Sequence, residues 1–262
     1  MIKLWENGAP LFDEKIEQEE PSIVEYLVDS QEPRGAVIVC AGGAYCGRTY
    51  HESVPVAKML NDAGFNAFVL NYRLCPYSYP AMLYDIQRAI RVVRYRAKEF
   101  NINPEKIGVM GFSAGGHLCI MAMEKFDVQF PPYDEIDKIS CRPDAAVLCY
   151  PVVSLLQIPD GSPRTSRSLF GGVYNPELAK ELTGEFNVND NNPPVFVWHT
   201  SDDEAVNVTN SMKLGMALRE KNIQFEMHIY PHGKHGLGLA EGDEVVSRWA
   251  NEACDWLKRL GF

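Results

Sequence analysis

Short apolar, β-branched runs alternate along this chain with stretches that carry a helical apolar stripe. The runs at residues 36–40, 66–71, 106–110, 144–150, 195–200 and 224–230 read as strands. Helical periodicity falls between or after them, at 53–63, 79–100, 117–126, 206–221 and 243–260. Residues 36–40 (Ala-Val-Ile-Val-Cys) are apolar at every position, as a strand covered on both faces must be. Strands of this kind separated by helices pair in parallel through right-handed crossovers, giving a mostly parallel sheet with helices on both faces. A composition close to the globular average argues against disorder, collagen and coiled coil. An earlier run, 22–28, alternates like an antiparallel strand. A chain of 262 residues can bury such a sheet in one core without disulfides or metals, so one domain spanning residues 1–262 is expected. The irregular stretch at about 154–192, rich in Gly, Pro, Ser and Asn, is its one insertion, with short helical pieces near 167–170 and 176–182. A connection of that length reads as a lid or binding loop.

The helix at 79–100 places Ile86, Ile90, Val93 and Ala97 on one stripe and Arg88, Arg91, Arg94, Arg96 and Lys98 largely off it. With 35 acidic against 25 basic residues and a formal net charge of -10, those cations read as a solvated face rather than a phosphate-binding patch. The same balance argues against nucleic acid and anionic membranes as partners. No apolar run approaches the roughly 18 residues that span a bilayer. The segment Met1 to Asn7 turns polar too soon for a signal peptide, so a cytoplasmic location is expected. The seven cysteines form no C-x-x-C pair, which speaks against a zinc or thioredoxin-type site. They read mostly as small buried hydrophobes in a reducing compartment, with one or two of them exposed and oxidisable as the alternative.

Gly111-Phe112-Ser113-Ala114-Gly115 matches G-x-S-x-G, and its context makes it specific: a strand runs into it and a helix follows it. That is the strand–turn–helix in which a serine is held in a strained turn as a nucleophile. Small neighbours are needed there, and Gly111, Gly115 and Gly116 supply them. The hydroxyl needs a base, and the base needs an orienting acid, in the chain order Ser, Asp or Glu, His. His51 and His117 lie too early, while His199 and His228 fall inside strands and read as structural. His232 and His235 remain, both after the last strand; His235, followed by Gly236 just before the final helical region, is preferred. For the acid, Ser201-Asp202-Asp203-Glu204 offers three adjacent carboxylates. Asp203 is preferred, leaving Asp202 and Glu204 solvated or capping the next helix. An oxyanion hole would take the Ala114 N–H and a second donor from the loop 41–45, which leaves an early strand and consists mostly of small residues.

These residues, with Gly42-Gly43-Ala44-Tyr45, His51-Glu52, Asn71-Tyr72-Arg73-Leu74, Tyr79-Pro80-Ala81, Asp85, Trp198 to Asp203 and His235-Gly236-Leu237-Gly238, resemble the α/β-hydrolase serine esterases. The resemblance is to the acetyl esterase and acetyl xylan esterase group, which includes bifunctional feruloyl and acetyl xylan esterases. It covers nearly all of the chain beyond about residue 20. It implies Ser113 as nucleophile, Asp203 as acid, His235 as base, and Gly43, Ala44 and Ala114 as oxyanion residues. It implies no metal and no organic cofactor. The related lipases have His-Gly-Gly-Gly where this chain has Ala41 to Ala44. Backbone donors tolerate Ala44, while the absence of a histidine at 41 sets the chain apart from that branch.

The expected activity is hydrolysis of short acyl esters, acetyl above all, of sugars or xylo-oligosaccharides. Without a secretion signal, imported acetylated oligosaccharides fit better than polymeric xylan. An amidase or peptidase such as a formamidase, and a ligand-binding module without catalysis, are the alternatives. Tyr45 and the 154–192 insertion are expected to wall the substrate site. A homo-oligomer is compatible with the sequence. Cys40 and Cys46 bracket the oxyanion loop, and Cys46 is the cysteine expected to confer any sensitivity to oxidation or alkylation.

Overall fold

The protein was analysed as a computed structural model that describes residues 1–126, 134–156 and 162–262. The seven expected strands, joined by a short one at the amino terminus that the pattern did not indicate, form one eight-stranded sheet. In chain order they are β1 (Ile2–Lys3), β2 (Ser22–Tyr26), β3 (Arg34–Cys40), β4 (Asn66–Asn71), β5 (Ile102–Phe112), β6 (Ala145–Cys149), β7 (Val195–Thr200) and β8 (Phe225–Tyr230). Their spatial order is β1-β2-β4-β3-β5-β6-β7-β8. The β1–β2 and β2–β4 pairs are antiparallel, and every pair from β4–β3 to β7–β8 is parallel.

The period-2 geometry of a strand sends successive side chains into two cores. Ala36, Ile38 and Cys40 enter one with Ile107, Val109, Ala146, Leu148, Val195 and Val197. Val37 and Val39 enter the other with Met110, Phe112, Val147, Cys149, Phe196 and Trp198. Helices α2 (Ala81–Tyr95), α3 (Ala114–Glu124) and α6 (Thr209–Glu220) cover the first face. Helices α1 (Val54–Asp62) and α7 (Arg248–Arg259) cover the second. Trp249 and Trp256 of α7 are fully buried there, with Trp249 stacked 5.1 Å from Trp198. Truncating either would cost about 3–5 kcal/mol.

Helix boundaries depart from the periodicity where side chains compete for the backbone. Asp243 Oδ1 accepts the N–H groups of Val245 and Val246, so residues 244–247 form turns and α7 begins later than the pattern indicates. The N–H and carbonyl of Val206 are engaged by Asp203 and His199, and α6 starts only at Thr209. Conversely, α3 starts directly after Ser113, upstream of the expected 117.

The arginine-rich face of α2 corrects the expectation of a solvated surface. Arg88 and Arg91 are buried. Arg88 pairs with Asp134 and Asp137, each at 2.6 Å, and its Nε donates to the Leu4 carbonyl. Arg91 donates to the Ile139 carbonyl, and Arg94 pairs with Asp144 at 2.8 Å. An acidic 3-10 turn, Glu135–Lys138, packs over the helix and takes up the charge. Five cysteines are buried, Cys75 is half-buried and Cys46 is exposed; all seven are free thiols. Within the insertion lie α4 (Pro163–Leu169) and α5 (Pro176–Glu181), while residues 157–161 of it fall outside the described segments. Among the described residues, no helix is long and apolar enough to cross a membrane.

Candidate active site

The strand order reverses between β3 and β5, so the loops leaving their carboxyl ends open away from each other and leave a crevice. Cys40 pairs with Gly111 across these two strands, which sets loop 41–45 directly beside Ser113. Ser113 has φ +52° and ψ −118°, a conformation a side-chain-bearing residue holds only when its surroundings over-determine it. Three backbone bonds do so: Ser113 N–H to the Cys149 carbonyl (3.0 Å), and the N–H groups of Val152 and His117 to the Ser113 carbonyl (3.1 Å each). The flanking glycines are steric requirements. A Cβ on Gly111 would lie 2.2 Å from the Gly115 carbonyl oxygen, and one on Gly115 would lie 2.1 Å from that of Cys40.

His235, Asp203 and Ser113 converge from three loops. His235 Nε2 is 2.8 Å from Ser113 Oγ, and its Nδ1 is 2.7 Å from Asp203 Oδ2. The carboxylate can only accept, so Nδ1 carries the proton and Nε2 is free to accept from the serine. The Asp203 side chain is fully buried, while His235 stays 23% exposed and open to a substrate. Asp203 Oδ1 accepts the N–H groups of Ala205 and Val206, both at 2.9 Å, and His199 Nε2 lies 3.4 Å from Oδ2. Burial alone would raise this carboxyl's pKa. The hydrogen bonds from His199, His235 and the Val206 N–H outweigh it and hold the group well below the usual carboxylate range.

The neighbouring candidates are occupied elsewhere. Asp202 accepts from His232 Nδ1 (2.9 Å) and the Gly233 N–H (2.8 Å) at the exposed rim. His199 is buried between the Ser211 hydroxyl and the Val206 carbonyl, and His228 pairs with Glu226 and Glu252.

Loop 41–45 winds through positive φ at Gly43 (+137°), Ala44 (+53°) and Tyr45 (+57°). A Cβ on Gly43 would meet the Gly47 carbonyl oxygen at 2.3 Å. Among the described residues, the N–H groups of Gly43, Ala44 and Ala114 have no acceptor. Tyr45 does not wall the site: its side chain is fully buried, and the hydroxyl donates to His117 Nδ1 at 2.9 Å. His117 in turn donates from Nε2 to the Leu182 carbonyl (2.8 Å). The expectation failed because Tyr45 sits in the left-handed region, which turns its ring under the loop instead of out of it. The hydroxyl's bond to His117 ties the loop that carries Gly43 and Ala44 to α3.

The cavity over Ser113 has a volume of about 330 Å³. Beyond Ser113, His235, Gly43 and Ala44, its walls include Thr49, His51, Glu52 and Val206, with Ser162, Arg164 and Thr165 from the insertion. Sequence reasoning assigned no task to Glu52, although His51-Glu52 stands in the matched segments. Arg164 and Thr165 carry no local signal at all. Among the described residues, no group of three or more His, Cys, Asp or Glu side chains is arranged to hold a metal ion.

The family described as BD-FAE matches residues 26–218. Endo-1,4-beta-xylanase B of Butyrivibrio fibrisolvens is 37% identical over 234 residues, 88% of this chain and 36% of that protein. An acetylxylan esterase of Xylanibacter ruminicola is 30% identical over 246 residues, 90% of this chain and 47% of that protein. The chain thus spans only a third to a half of the length of these curated relatives. The crystal structure of an acetyl ester-xyloside bifunctional hydrolase from Caldicellulosiruptor lactoaceticus superposes with a TM-score of 0.95 at 45% identity. That match covers all of this chain and 96% of the other.

Proposed function

The chain belongs to the BD-FAE family, and on that premise we propose that it is a serine carboxylesterase removing short acyl groups, acetyl above all, from xylo-oligosaccharides or related sugars. The observation that carries this reading is the hydrogen-bonded series Ser113–His235–Asp203 at 2.8 and 2.7 Å, beneath the unpaired amides of Gly43, Ala44 and Ala114.

Ser113 Oγ attacks the ester carbonyl carbon while its proton passes to His235 Nε2. The carbonyl oxygen becomes an oxyanion and takes hydrogen bonds from the N–H groups of Gly43, Ala44 and Ala114, at the amino end of α3, where the helix dipole also favours negative charge. His235 then gives its proton to the departing sugar oxygen as the carbon–oxygen bond breaks, leaving an acyl-serine. Water, deprotonated by the same nitrogen, attacks the acyl-serine, and the serine recovers its proton as the carboxylic acid leaves. Asp203 holds the imidazole with its Nδ1 proton inward and stabilises the imidazolium formed in each half.

Residues 1–262 act as one catalytic unit in this reading, with Arg164, Ser162 and Thr165 meeting the sugar or acyl group. The names of the xylanase and acetylxylan esterase relatives support an acetylated xylo-oligosaccharide as substrate. Seven free thiols fit a reducing compartment.

The test is turnover of nitrophenyl acetate and acetate release from acetylated xylo-oligosaccharides by the wild type and Ser113→Ala. The variant should lose at least about 10³-fold in kcat. Undiminished turnover in it would refute the reading, and faster cleavage of small amides than of esters would replace it with an amidase.

A further inference from the structure

Glu52 has no task in that mechanism, yet its side chain is only 3% exposed and it lines the cavity over Ser113. It ends a 3-10 turn, Tyr50–Glu52, that leads into α1. A buried carboxylate is costly unless donors surround it. Here the donors come from both halves of the site. Oε2 accepts the Gly42 N–H at 2.8 Å and the Thr49 hydroxyl. Oε1 accepts the Tyr150 hydroxyl at 2.6 Å, with His51 Nε2 at 3.9 Å.

Each donor leads to a reacting group. Gly42 is the peptide immediately before the Gly43 and Ala44 amides. A Cβ there would lie 2.8 Å from Glu52 Oε2 and 3.0 Å from Ser113 Cβ, so the carboxylate packs on the segment that touches the nucleophile. Tyr150 stands edge-on to the His235 ring, 5.0 Å between centroids, and its hydroxyl accepts the Gly238 N–H at 2.8 Å. Gly238 belongs to the same loop as His235. Tyr150 itself has φ +36°, strain that is retained where a side chain must be aimed. His51 completes the clamp by donating from Nε2 to the Gly236 carbonyl at 2.9 Å.

We propose that Glu52 is a positioning residue that couples the two halves of the site, fixing the oxyanion-loop amides through Gly42 and the general base through Tyr150. The inference rests on the esterase reading above. A carboxamide cannot replace the carboxylate. With its oxygen toward Gly42, its NH₂ would face a Tyr150 hydroxyl that already accepts from Gly238, and the hydroxyl proton would lose its acceptor.

The experiment measures kcat and KM for nitrophenyl acetate, and the affinity of an aryl trifluoromethyl ketone that adds to Ser113 as a tetrahedral oxyanion. The proteins are the wild type, Glu52→Gln, Tyr150→Phe and the double variant. Glu52→Gln should lower kcat by about 10- to 100-fold, with KM within about threefold, and weaken the ketone in proportion to kcat. Tyr150→Phe keeps the ring and should lose several-fold in kcat, and the double variant should be no slower than Glu52→Gln alone. A melting temperature that falls in Glu52→Gln while kcat and ketone affinity stay within twofold of wild type would reduce Glu52 to a structural residue and overturn the proposal. Should Glu52→Gln fail to fold, an unchanged kcat in Tyr150→Phe overturns it. A wild type that neither cleaves ester nor reacts with the ketone refutes the esterase reading itself; an active wild type with unaffected variants refutes only the coupling.

Discussion

Replacing Asp203 by Asn changes one atom and should stop the reaction through the tautomer of His235. An asparagine must choose how to place its single oxygen. The Oδ1 position faces the N–H groups of Ala205 and Val206, both at 2.9 Å, and turning an NH₂ toward them would leave two buried donors without partners. That arrangement costs about 1–3 kcal/mol per donor, so the oxygen stays and the NH₂ faces His235 Nδ1. Nδ1 must then accept, the ring proton moves to Nε2, and Nε2 points a hydrogen at Ser113 Oγ across the 2.8 Å contact, unable to take the serine's proton. A wrong tautomer in an otherwise intact triad lowers kcat by about 10⁴, which is about 5 kcal/mol of barrier at 1.36 kcal/mol per decade. Steady-state hydrolysis of nitrophenyl acetate, normalised to folded protein by circular dichroism, measures it. Asp202→Asn is the control: its carboxylate serves only His232 and Gly233 at the exposed rim, and the rate should stay within about threefold. If Asp203→Asn retained a tenth of the activity while Asp202→Asn lost most of it, the acid would have to be Asp202 and the argument would fail.

Two further outcomes concern stability. Burial above all, with Lys125 also lowering it and the Leu182 hydrogen bond opposing, pushes His117 down to about 4. An unfolded histidine titrates near 6.5, so between about pH 6.5 and 4 the unfolded chain binds a proton that the folded one does not. Stability is full above that window and lost on acidification through it, by roughly 3 kcal/mol. Thermal melts from pH 7 to 4 should show this slope, and His117→Gln should flatten it; an equally steep decline in the variant would refute the assignment. Arg73 grips Asp85 through Nη2 at 2.7 Å with both side chains fully buried, and the Arg73 N–H adds a bond at 2.8 Å. Asp85→Ala strands the guanidinium and should cost about 3–5 kcal/mol in urea unfolding, whereas Arg73→Met with Asp85→Leu should cost less than the single change. A loss under about 1 kcal/mol for Asp85→Ala would show that the pair is not the anchor.

What could be read from the chain alone was whatever local pattern determines. The central strands are apolar on both faces, so their positions followed from the apolar runs, to the residue at 66–71 and 195–200, whereas β5 extends four residues before and two after the expected 106–110. Ser113 followed from the steric demands of its turn. Helix ends were less legible, because Asp243 and Asp203 side chains compete for the amides that the periodicity assigns to helices. The arginines of α2 misled for a different reason. Their partners, Asp134, Asp137 and Asp144, lie more than forty positions away, and the pairing decides whether a cationic face is wet or buried. Tyr45 misled because its left-handed backbone, invisible to residue type, turns the ring inward. Glu52 had no signature either: its donors Gly42 and Thr49 are near in sequence, but Tyr150 is 98 positions away.

Strand order explains why the chemistry gathers at the carboxyl end of the sheet. Ser113 and His235 are 122 positions apart, and Asp203 and His235 are 32 apart. None of these separations is set by a local motif; each is closed by strand order. Because β5, β6, β7 and β8 run parallel and adjacent, the loops after β5, β7 and β8 leave on the same side, and the strand-order reversal at β3 brings loop 41–45 in to face them. The amino end of the sheet holds the same kinds of residue in another capacity. There Asp144 binds the Ile107 amide at 2.9 Å and Arg94 at 2.8 Å, and burial, the largest influence on it, raises its pKa. Asp203, whose hydrogen bonds overcome burial, has its pKa lowered instead. Both aspartates are largely enclosed. What separates a fastening carboxylate from one matched to an imidazole is the donor set that each end of the sheet delivers to it, and that set is a property of the topology.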